Sequence, residues 1–418
     1  MLCIYALGME HRKYKLRDIA TVEISGVDKK IKDGEASVKL CNFVDVYYNW
    51  AITSEIGNNF MEATARPNEI ERFKLKKGQV AITKDSETRF DIGIATYIAD
   101  DFDNVILGYH NALITPNPEK LNGKYLNALL HTDYARKYFA NNASGSGQRY
   151  ALSVDALNDF PVPLIPLEEQ IRIGNIFSSI DQKIALNRAI NDNLEAMAKQ
   201  LYDYWFVQFD FPNEEGKPYK SSGGKMVWNE KLKREIPEWW SHKDIKSFMR
   251  IFTGKKDVSK AIPGPYKFFS CAPEPITSDE YIYDGAAVLV SGNSSYTGRV
   301  NFYRGKMDLY QRTYACVVKE DESTIPYFYY TLRYLFQPIF SGGKHGSSIP
   351  YIVLGDLADF MFAYNEDVVK LFVKNISAIF NKRIVIQQEI ENLTKQRDEL
   401  LPLLMNGQVS VNYHLSHD

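Results

Sequence analysis

The residue types that could perform chemistry are scattered along this chain and form no known catalytic pattern. The sequence has no GxxxxGK[ST] or GxGxxG loop for phosphates and no GxSxG, HExxH or EF-hand pattern. It also lacks an NPP[YF]-type methyltransferase loop and a PD…ExK nuclease core. The seven histidines stand singly, with no cysteine at metal-ligand spacing. The sequence therefore argues against an enzyme and predicts no metal site.

The cysteines indicate a reducing compartment, and the hydropathy pattern argues against a membrane-spanning helix. The four cysteines, Cys3, Cys41, Cys271 and Cys316, form no CxxC pair, which argues against a zinc module or a disulfide framework. No apolar run approaches the length of about 18 residues that a membrane-spanning helix needs. The first residues lack the basic-then-apolar order of a secretory signal. We therefore expect a cytoplasmic protein.

The length and composition predict an ordinary globular protein of two or three domains. The chain has 418 residues, of which 45% are apolar and 24% charged. Its formal net charge is −2, so no chain-wide basic character points to nucleic acid.

The sequence contains a weak internal repeat at an offset of 200 residues. The segment from Leu157 to Phe160 matches the segment from Leu357 to Phe360, and Asn175-Ile matches Asn375-Ile. Upstream, a tyrosine-rich helical stretch precedes a Ser/Gly loop in both halves, SGSGQ from 144 and SGGKHGSS from 341. Shared order and spacing favour a duplicated architecture.

Each half is predicted to be a mixed α/β globular domain followed by a long helix. Short apolar runs such as 80–82, 286–290 and 314–318 predict strands. Apolar residues then recur every three or four positions over about 37 to 40 residues, and this periodicity predicts two helices that pair as an antiparallel coiled coil. The fold class is α+β with pseudo-two-fold symmetry. The expected boundaries are 1–160 (first globular domain), 161–208 (first helix), 209–235 (surface linker), 236–362 (second globular domain), 363–407 (second helix, ended by Pro402 and Gly407) and 408–418 (tail).

Two segments carry a family resemblance. The run PLEEQIRIGNIFSSIDQKIALNRAINDNLEAMAKQLYDYWF (166–206) resembles the central conserved region of the specificity subunit of type I restriction-modification enzymes. The run QRDELLPLLMNGQV (396–409) resembles the distal conserved region of that family. The second helix departs from the pattern, because it opens with Tyr364-Asn-Glu-Asp instead of a Pro-Leu-x-Glu-Gln sequence.

The resemblance implies a non-catalytic subunit that recognises DNA. It implies two target-recognition domains, each of which reads one half of a split asymmetric site, and helices that space the domains. It also implies docking of two copies of a modification subunit, which carries S-adenosylmethionine and methylates adenine. The resemblance further implies that restriction subunits join in the full complex. No cofactor is expected on this chain.

Candidate DNA contacts follow from residue type and loop position. Arginine and lysine read guanine, asparagine and glutamine read adenine, and lysine and serine often hold phosphates. The candidates that lie in loops after predicted strands or in the Ser/Gly loops are Lys84, Arg89, Gln148, Arg149, Lys255, Lys256, Asn293, Ser294, Tyr296, Arg299, Arg312, Lys344 and His345. An ordinary solvated surface residue remains the alternative for each of them.

Candidate partner contacts are the apolar residues on the helices. They are Ile173, Phe177, Trp205, Phe206, Leu400 and Leu404. Burial against the chain's own domains is the alternative, because one partner helix does not cover all the apolar faces. The helical segments are acidic: 161–210 carries four basic and seven acidic residues, and 366–418 carries six and seven. Partner subunits are therefore expected to supply many of the contacts to the DNA phosphates.

Two other functions stay open from the sequence. A self-sufficient modification or nuclease enzyme needs a cofactor domain, for which no region is free. A coiled-coil scaffold without a nucleic-acid role predicts no sequence-selective footprint.

Overall fold

The computed structural model describes residues 12–145, 147–345 and 349–405, and the chain divides into two compact units. Unit 1 comprises residues 1–188 and 388–418, and unit 2 comprises residues 189–387. Each unit therefore contains a globular part and a segment of each long helix. The expected boundaries at 160 and 362 place whole helices outside the globular domains, whereas the units cut both helices.

Unit 1 is built on a five-stranded sheet with the order β2-β10-β6-β8-β4. Its strands are β1 (Lys13–Lys15), β2 (Ala20–Ile24), β3 (Ala36–Cys41), β4 (Ala51–Ile52), β5 (Met61–Ala65), β6 (Val80–Thr83), β7 (Asp85–Ser86), β8 (Ala95–Ile98), β9 (Val105–Leu107), β10 (Asn111–Pro116), β11 (Ser144–Gly145), β12 (Tyr150–Ala151) and β13 (Pro161–Pro163). Smaller sheets are β5-β3-β9, β11-β12-β7 and β1-β13. Strands β6 and β8 are buried along their whole length, as continuous apolar runs predict.

The helices of unit 1 cover this sheet and lead into the first long helix. They are α1 (Phe43–Tyr48), α2 (Ser54–Gly57), α3 (Pro67–Phe73), α4 (Gly123–Leu130), α5 (Asp133–Asn142), α6 (Val154–Asn158) and α7 (Leu167–Tyr202), which continues as a π-helical turn over Asp203–Val207. Gln170, from the first turn of α7, is fully buried. Its Oε1 accepts from the backbone N–H of Asn122 at 2.9 Å, and its Nε2 donates to the carbonyls of Lys120 and Ile165. The Leu-Glu-Glu-Gln sequence thus fixes the start of α7 against the loop before α4.

Unit 2 has a six-stranded sheet with the order β17-β22-β20-β21-β18-β19. Its strands are β14 (Met226–Asn229), β15 (Arg234–Pro237), β16 (Ser241–Asp244), β17 (Met249–Thr253), β18 (Tyr266–Phe269), β19 (Ile276–Ser278), β20 (Tyr283–Ser291), β21 (Val300–Leu309), β22 (Thr313–Val318) and β23 (Met361–Tyr364). Its helices are α8 (Ile245–Phe248), α9 (Ile325–Thr331), α10 (Gln337–Phe340), α11 (Leu354–Ala358) and α12 (Glu366–Met405), the last of which it shares with unit 1. The Asn365 side chain accepts from the Val368 N–H at 3.0 Å and caps α12. An N-cap asparagine therefore replaces the Pro-Leu-x-Glu-Gln start in this half.

The internal repeat is present in the structure. In unit 1 the order 3₁₀ turn (Leu16–Asp18), β2, β6, β10, α4, α6, β13 and α7 corresponds to α8, β17, β20, β22, α9, α11, β23 and α12. The Leu16 N–H donates to the Phe160 carbonyl at 3.0 Å, and the Ile245 N–H donates to the Phe360 carbonyl at 3.2 Å. These matched bonds confirm the duplicated plan, although the offset is 200 residues only in the later part of each half.

Within each unit the segments of α7 and α12 run antiparallel. In unit 1, Lys183 pairs with Glu389 at 3.4 Å, and the buried side chains of Ile173 and Leu401 belong to one core. In unit 2, Glu195 pairs with Arg383, while Tyr202 lies edge-on to Phe372 at 6.0 Å. In both units, later residues of α7 contact earlier residues of α12, as the predicted antiparallel pairing requires.

Two expectations are wrong. Residues 209–235 are not only a surface linker, because Phe209 and Phe211 are buried beside Trp240 and the segment enters the hairpin of β14 and β15. Pro402 does not end the second helix, because it lies inside α12, which continues to Met405; Gly407, the other expected end, lies outside the described residues. Pro402 has no N–H to donate to the preceding turn, and the burial of Leu401 in the core of unit 1 stabilises the last turns of the helix.

Candidate nucleic-acid interface

In both units the candidate loops meet through the same backbone frame. In unit 1 the Lys84 N–H donates to the His110 carbonyl at 2.9 Å, and the Leu152 N–H donates to the Lys84 carbonyl at 2.7 Å. In unit 2 the Gly292 N–H donates to the Arg312 carbonyl at 2.8 Å, and the Ile352 N–H donates to the Gly292 carbonyl at 2.9 Å. These bonds join three loops in each unit. They are the loop after β6 or β20, the loop before β10 or β22, and the Ser/Gly loop.

An ion-paired cluster occupies this frame in unit 1. The Asp85 carboxylate lies 2.9 Å from Lys84 Nζ and 2.5 Å from His110 Nδ1. Burial raises the pKa of Asp85, but the hydrogen bonds from His110 and Lys84 outweigh it and leave the pKa below its ordinary value. His110 has a backbone φ of 71°, a conformation uncommon for residues other than glycine and often found at functional sites. Neither Asp85 nor His110 was among the predicted contacts.

The exposed basic side chains of unit 1 surround that cluster. Arg149 places Nη2 3.2 Å from His110 Nε2, and the Arg89 guanidinium lies 5.3 Å from the centre of the Tyr150 ring. Gln148 is exposed beside Arg149. The structure therefore brings together all four contacts predicted for this half, with Lys84 committed to Asp85 and the other three facing solvent.

A groove of about 550 Å³ opens beside Arg149. One wall is aromatic and comes from α1, with Tyr47 and the exposed Tyr48. The Tyr47 hydroxyl donates to Asp91 at 2.8 Å, and burial raises the pKa of Tyr47 to about 12. Sequence reasoning missed this wall, although the Phe43-Val-Asp-Val-Tyr-Tyr run of α1 is a visible aromatic signal.

In unit 2 the corresponding groove, of about 480 Å³, is lined by Asn293, Arg312, Ile349 and Tyr351. Arg312 is exposed and Asn293 is half-buried. Ser294 follows with a φ of 81°. Two predicted contacts, from different loops, thus share one groove.

The other predicted contacts of unit 2 differ in availability. Tyr296 is exposed, and the Arg299 guanidinium lies 5.6 Å from the centre of its ring. Arg299 Nη2 donates to the Pro273 carbonyl at 2.9 Å. Burial lowers the pKa of Arg299 from its ordinary value. Lys344 is exposed and lies 4.2 Å from the centre of the Phe340 ring. His345 Nε2 lies 3.1 Å from the Asp356 carboxylate.

The two adjacent lysines after Gly254 separate in the structure. Lys255 is exposed. Lys256 forms ion pairs with Glu280 and with the buried Asp308, the latter at 3.3 Å. Lys256 therefore neutralises a buried carboxylate, which leaves Lys255 as the lysine that faces solvent.

The predicted partner contacts are mostly interior. Ile173 and Phe177 are buried in a core of unit 1, and Trp205 and Phe206 are buried in a core of unit 2. Leu400 is half-buried against the core of unit 1. The side chain of Leu404 lies outside the described residues. The four buried side chains thus stabilise the chain's own cores, the alternative left open by the sequence.

Other apolar side chains of the long helices are exposed. On α7 and its π-helical extension they include Leu186, Met197 and Val207, and on α12 they include Leu371 and Val385, which is 59% exposed. The 3.6-residue periodicity marks both inner and outer apolar positions, so sequence reasoning did not separate them.

Neither a metal site nor a membrane span emerges from the described part of the chain. Across residues 12–145, 147–345 and 349–405, no three His, Cys, Asp or Glu side chains group as metal ligands. No helix within those ranges is long and apolar enough to cross a bilayer.

Comparison with known proteins shows that the chain is similar to DNA specificity subunits. Residues 12–196 match the family model described as the type I restriction modification DNA specificity domain. The chain is 24% identical over 316 residues to the type I restriction enzyme MjaIX specificity subunit of Methanocaldococcus jannaschii, covering 69% of each chain. It is 28% identical over 182 residues to the EcoDI specificity subunit of Escherichia coli, covering 42% of this chain and 40% of that one.

A solved structure shares the fold over nearly the whole chain. The S subunit of a type I restriction-modification system from M. genitalium aligns with a TM-score of 0.58 and 14% identity, covering 99% of this chain and 100% of that one. At this identity the likeness concerns the fold, and it supports the arrangement of two mixed α/β domains with two long helices.

Proposed function

We propose that the chain is a DNA specificity subunit of a type I restriction-modification system, a non-catalytic class, and that each of its two units reads one half of a split DNA site. The observation that carries this proposal is the repeated frame of three loops. Both units use the same backbone bonds to present basic or amide side chains, but the side chains differ. Equivalent frames with different side chains suit an asymmetric two-part site.

Direct readout is assigned to the members of each frame that are exposed or line a groove. Unit 1 offers Arg149, Gln148 and Arg89, and unit 2 offers Arg312 and Asn293. Arginine pairs with guanine O6 and N7, and asparagine or glutamine pairs with adenine N6 and N7. With a net charge of −2, the chain alone is expected to bind DNA weakly, and partner subunits supply further phosphate contacts.

The long helices are proposed to set the spacing of the half-sites. Helix α7 has 36 residues and α12 has 40, and both contribute to both units. At 1.5 Å per residue their lengths are about 54 and 60 Å. An unbroken helix holds a fixed length, so it can act as a ruler.

Partner docking is proposed on the outer faces of these helices. Four of the partner contacts predicted from the sequence are buried. By contrast, Met197, Leu186 and Val385 are each more than half exposed. Two copies of a modification subunit, which bring S-adenosylmethionine, would bind there, and restriction subunits would complete the nuclease. The chain itself would then contribute specificity and no chemistry.

The test compares the purified chain with its complex with the modification subunit. Each sample receives S-adenosylmethionine and a DNA library, and methylated adenines are then sequenced. We expect no methylation by the chain alone and methylation of a two-part site by the complex. Arg149→Ala should weaken or relax recognition of the half-site read by unit 1 and leave recognition of the other half-site unchanged.

Two results would contradict the proposal. Methylation by the chain alone would indicate a self-sufficient enzyme. A complex that methylates without sequence preference would indicate a scaffold. As a matched control, Lys217→Ala removes an exposed lysine outside the loop frames and should leave the site unchanged.

A further inference from the structure

The shared frame makes individual side chains of the two units comparable. Strand pairing sets Asp85 opposite Ala151 in unit 1, and a bridge sets Asn293 opposite Tyr351 in unit 2. The position of Asp85 therefore corresponds to that of Asn293. The backbone bonds described above likewise make His110 correspond to Arg312.

The two corresponding pairs are in opposite states. In unit 1, Asp85 and His110 bind each other at 2.5 Å, and Lys84 also binds Asp85. In unit 2, the side chains of Asn293 and Arg312 form no hydrogen bond or ion pair with the described residues, and both line the groove of about 480 Å³. The pair of unit 1 is satisfied within the protein, whereas the hydrogen-bonding groups of the pair in unit 2 are available to a ligand.

The backbone that carries Asn293 is firmly held. The Gly298 N–H donates to the Ser291 carbonyl at 2.8 Å, and the Thr297 hydroxyl lies 2.8 Å from the Pro350 carbonyl. A Cβ atom at Gly292 would approach the Arg312 carbonyl to 2.3 Å, so only glycine permits this close contact between the two loops. A rigid support of this kind reduces the entropy lost when a side chain binds a base.

We propose that Asn293 and Arg312 are the base-reading pair of unit 2 and that they recognise an adenine and a guanine, respectively, in its half-site. The amide of Asn293 offers a donor and an acceptor for adenine N7 and N6, and the Arg312 guanidinium offers two parallel donors for guanine O6 and N7. The corresponding pair of unit 1 is closed on itself, so readout there falls to Arg149, Gln148 and Arg89. The assignment rests on the proposed function and identifies the bases that one unit reads.

The experiment uses the complex of the full chain with its modification subunit. Methylation rates are measured on the wild-type site and on sites with single-base changes, for Arg312→Lys, Asn293→Asp and the wild type. Arg312→Lys keeps the charge but loses the paired donors, and we expect about 10- to 100-fold slower methylation of the wild-type site, with relaxed choice at a guanine position. Asn293→Asp replaces the amide donor with an acceptor and should relax or switch the choice at an adenine position.

Controls separate a reading defect from a folding defect. Arg304→Lys makes the same exchange at an exposed arginine of unit 2 outside the groove and should leave rates and site unchanged. Base preference in the half-site read by unit 1 should also persist in both test variants. Its loss together with that of unit 2 would count against the assignment, because it would indicate a global defect.

The outcomes distinguish this inference from the proposed function. A wild-type complex that methylates no two-part site defeats the proposed function. A wild-type complex that does so, with Arg312→Lys and Asn293→Asp variants that keep its rate and base preferences, overturns the pair alone.

Discussion

Asp181 on α7 makes the stability of unit 1 depend on pH. Burial is the main cause that raises the pKa of this carboxyl, from 3.8 to about 6, and the nearby charges of Arg397 and Arg188 oppose the rise only in part. A raised pKa for an acid means that the folded state holds the proton more tightly than the unfolded state. The ionised carboxylate therefore destabilises the fold above pH 6, and this penalty disappears as the pH falls towards 4.

The magnitude follows from the shift. A rise of about two pKa units corresponds to about 3 kcal/mol at 1.36 kcal/mol per unit. Since the side chain remains partly accessible, solvent screening reduces this to about 1–2 kcal/mol. Asp181→Asn should therefore stabilise the α7 segment of unit 1 by about 1–2 kcal/mol at pH 8 and have little effect at pH 4.5.

Hydrogen exchange measured by mass spectrometry over residues 174–188 tests this expectation, because it reports unit 1 separately from the rest of the chain. Variants are compared at the same pH, so that intrinsic exchange rates cancel. Asp192→Asn is the matched control, since it makes the same change at an exposed position of the same helix. Equal protection of Asp181→Asn and the wild type at pH 8 would refute the reasoning, as would a gain that is as large at pH 4.5.

Three further predictions concern the helices. A Cβ atom at Gly174 would lie 2.9 Å from the Tyr125 backbone nitrogen, so Gly174→Ala should destabilise unit 1 by about 1–3 kcal/mol in denaturant unfolding; Gly355→Ala, with no neighbour nearer than 3.6 Å, should be neutral or slightly stabilising. Glu195→Gln removes the carboxylate that neutralises Arg383 and should destabilise unit 2 by about 1–3 kcal/mol. Glu215→Gln, in an exposed ion pair, should cost under about 0.5 kcal/mol. Equal effects would contradict the expectation that the more buried ion pair contributes more to stability. Inserting one helical turn in both helices, within 186–194 and 384–388, adds about 5.4 Å and should change the preferred half-site spacing by one or two base pairs. An insertion in α7 alone should abolish methylation. Unchanged spacing on sequencing of methylated sites would show that the helices do not set the spacing.

His131 shows how a residue that stands alone in the sequence can have a structural role. Trp50 stacks on its ring at 4.1 Å, and Nδ1 lies 2.8 Å from the Asn127 carbonyl. Burial is the main cause that lowers its pKa to about 4. The neutral imidazole belongs to the fold of unit 1, which agrees with the absence of metal-ligand spacing in the sequence.

The sequence by itself determined the repeated plan, the central strands and the extent of the long helices. Residues 80–82 and 286–290 are strands because continuous apolar runs bury both faces of a central strand. The helices follow from a periodicity that persists over ten turns, and such a signal depends only on local spacing.

Only the tertiary structure decided which residues of these elements face the core, which face solvent and which meet across loops. Phe177 and Leu186 have the same apolar character in one helix, yet the first is buried and the second is 55% exposed, because the neighbouring elements cover only part of the helix. Asp85 and His110 are 25 positions apart and meet through a backbone bond between loops, which no local pattern records. The difference between a closed pair in unit 1 and an open pair in unit 2 therefore depends on three-dimensional contacts, since hydrogen bonds form between neighbours in space.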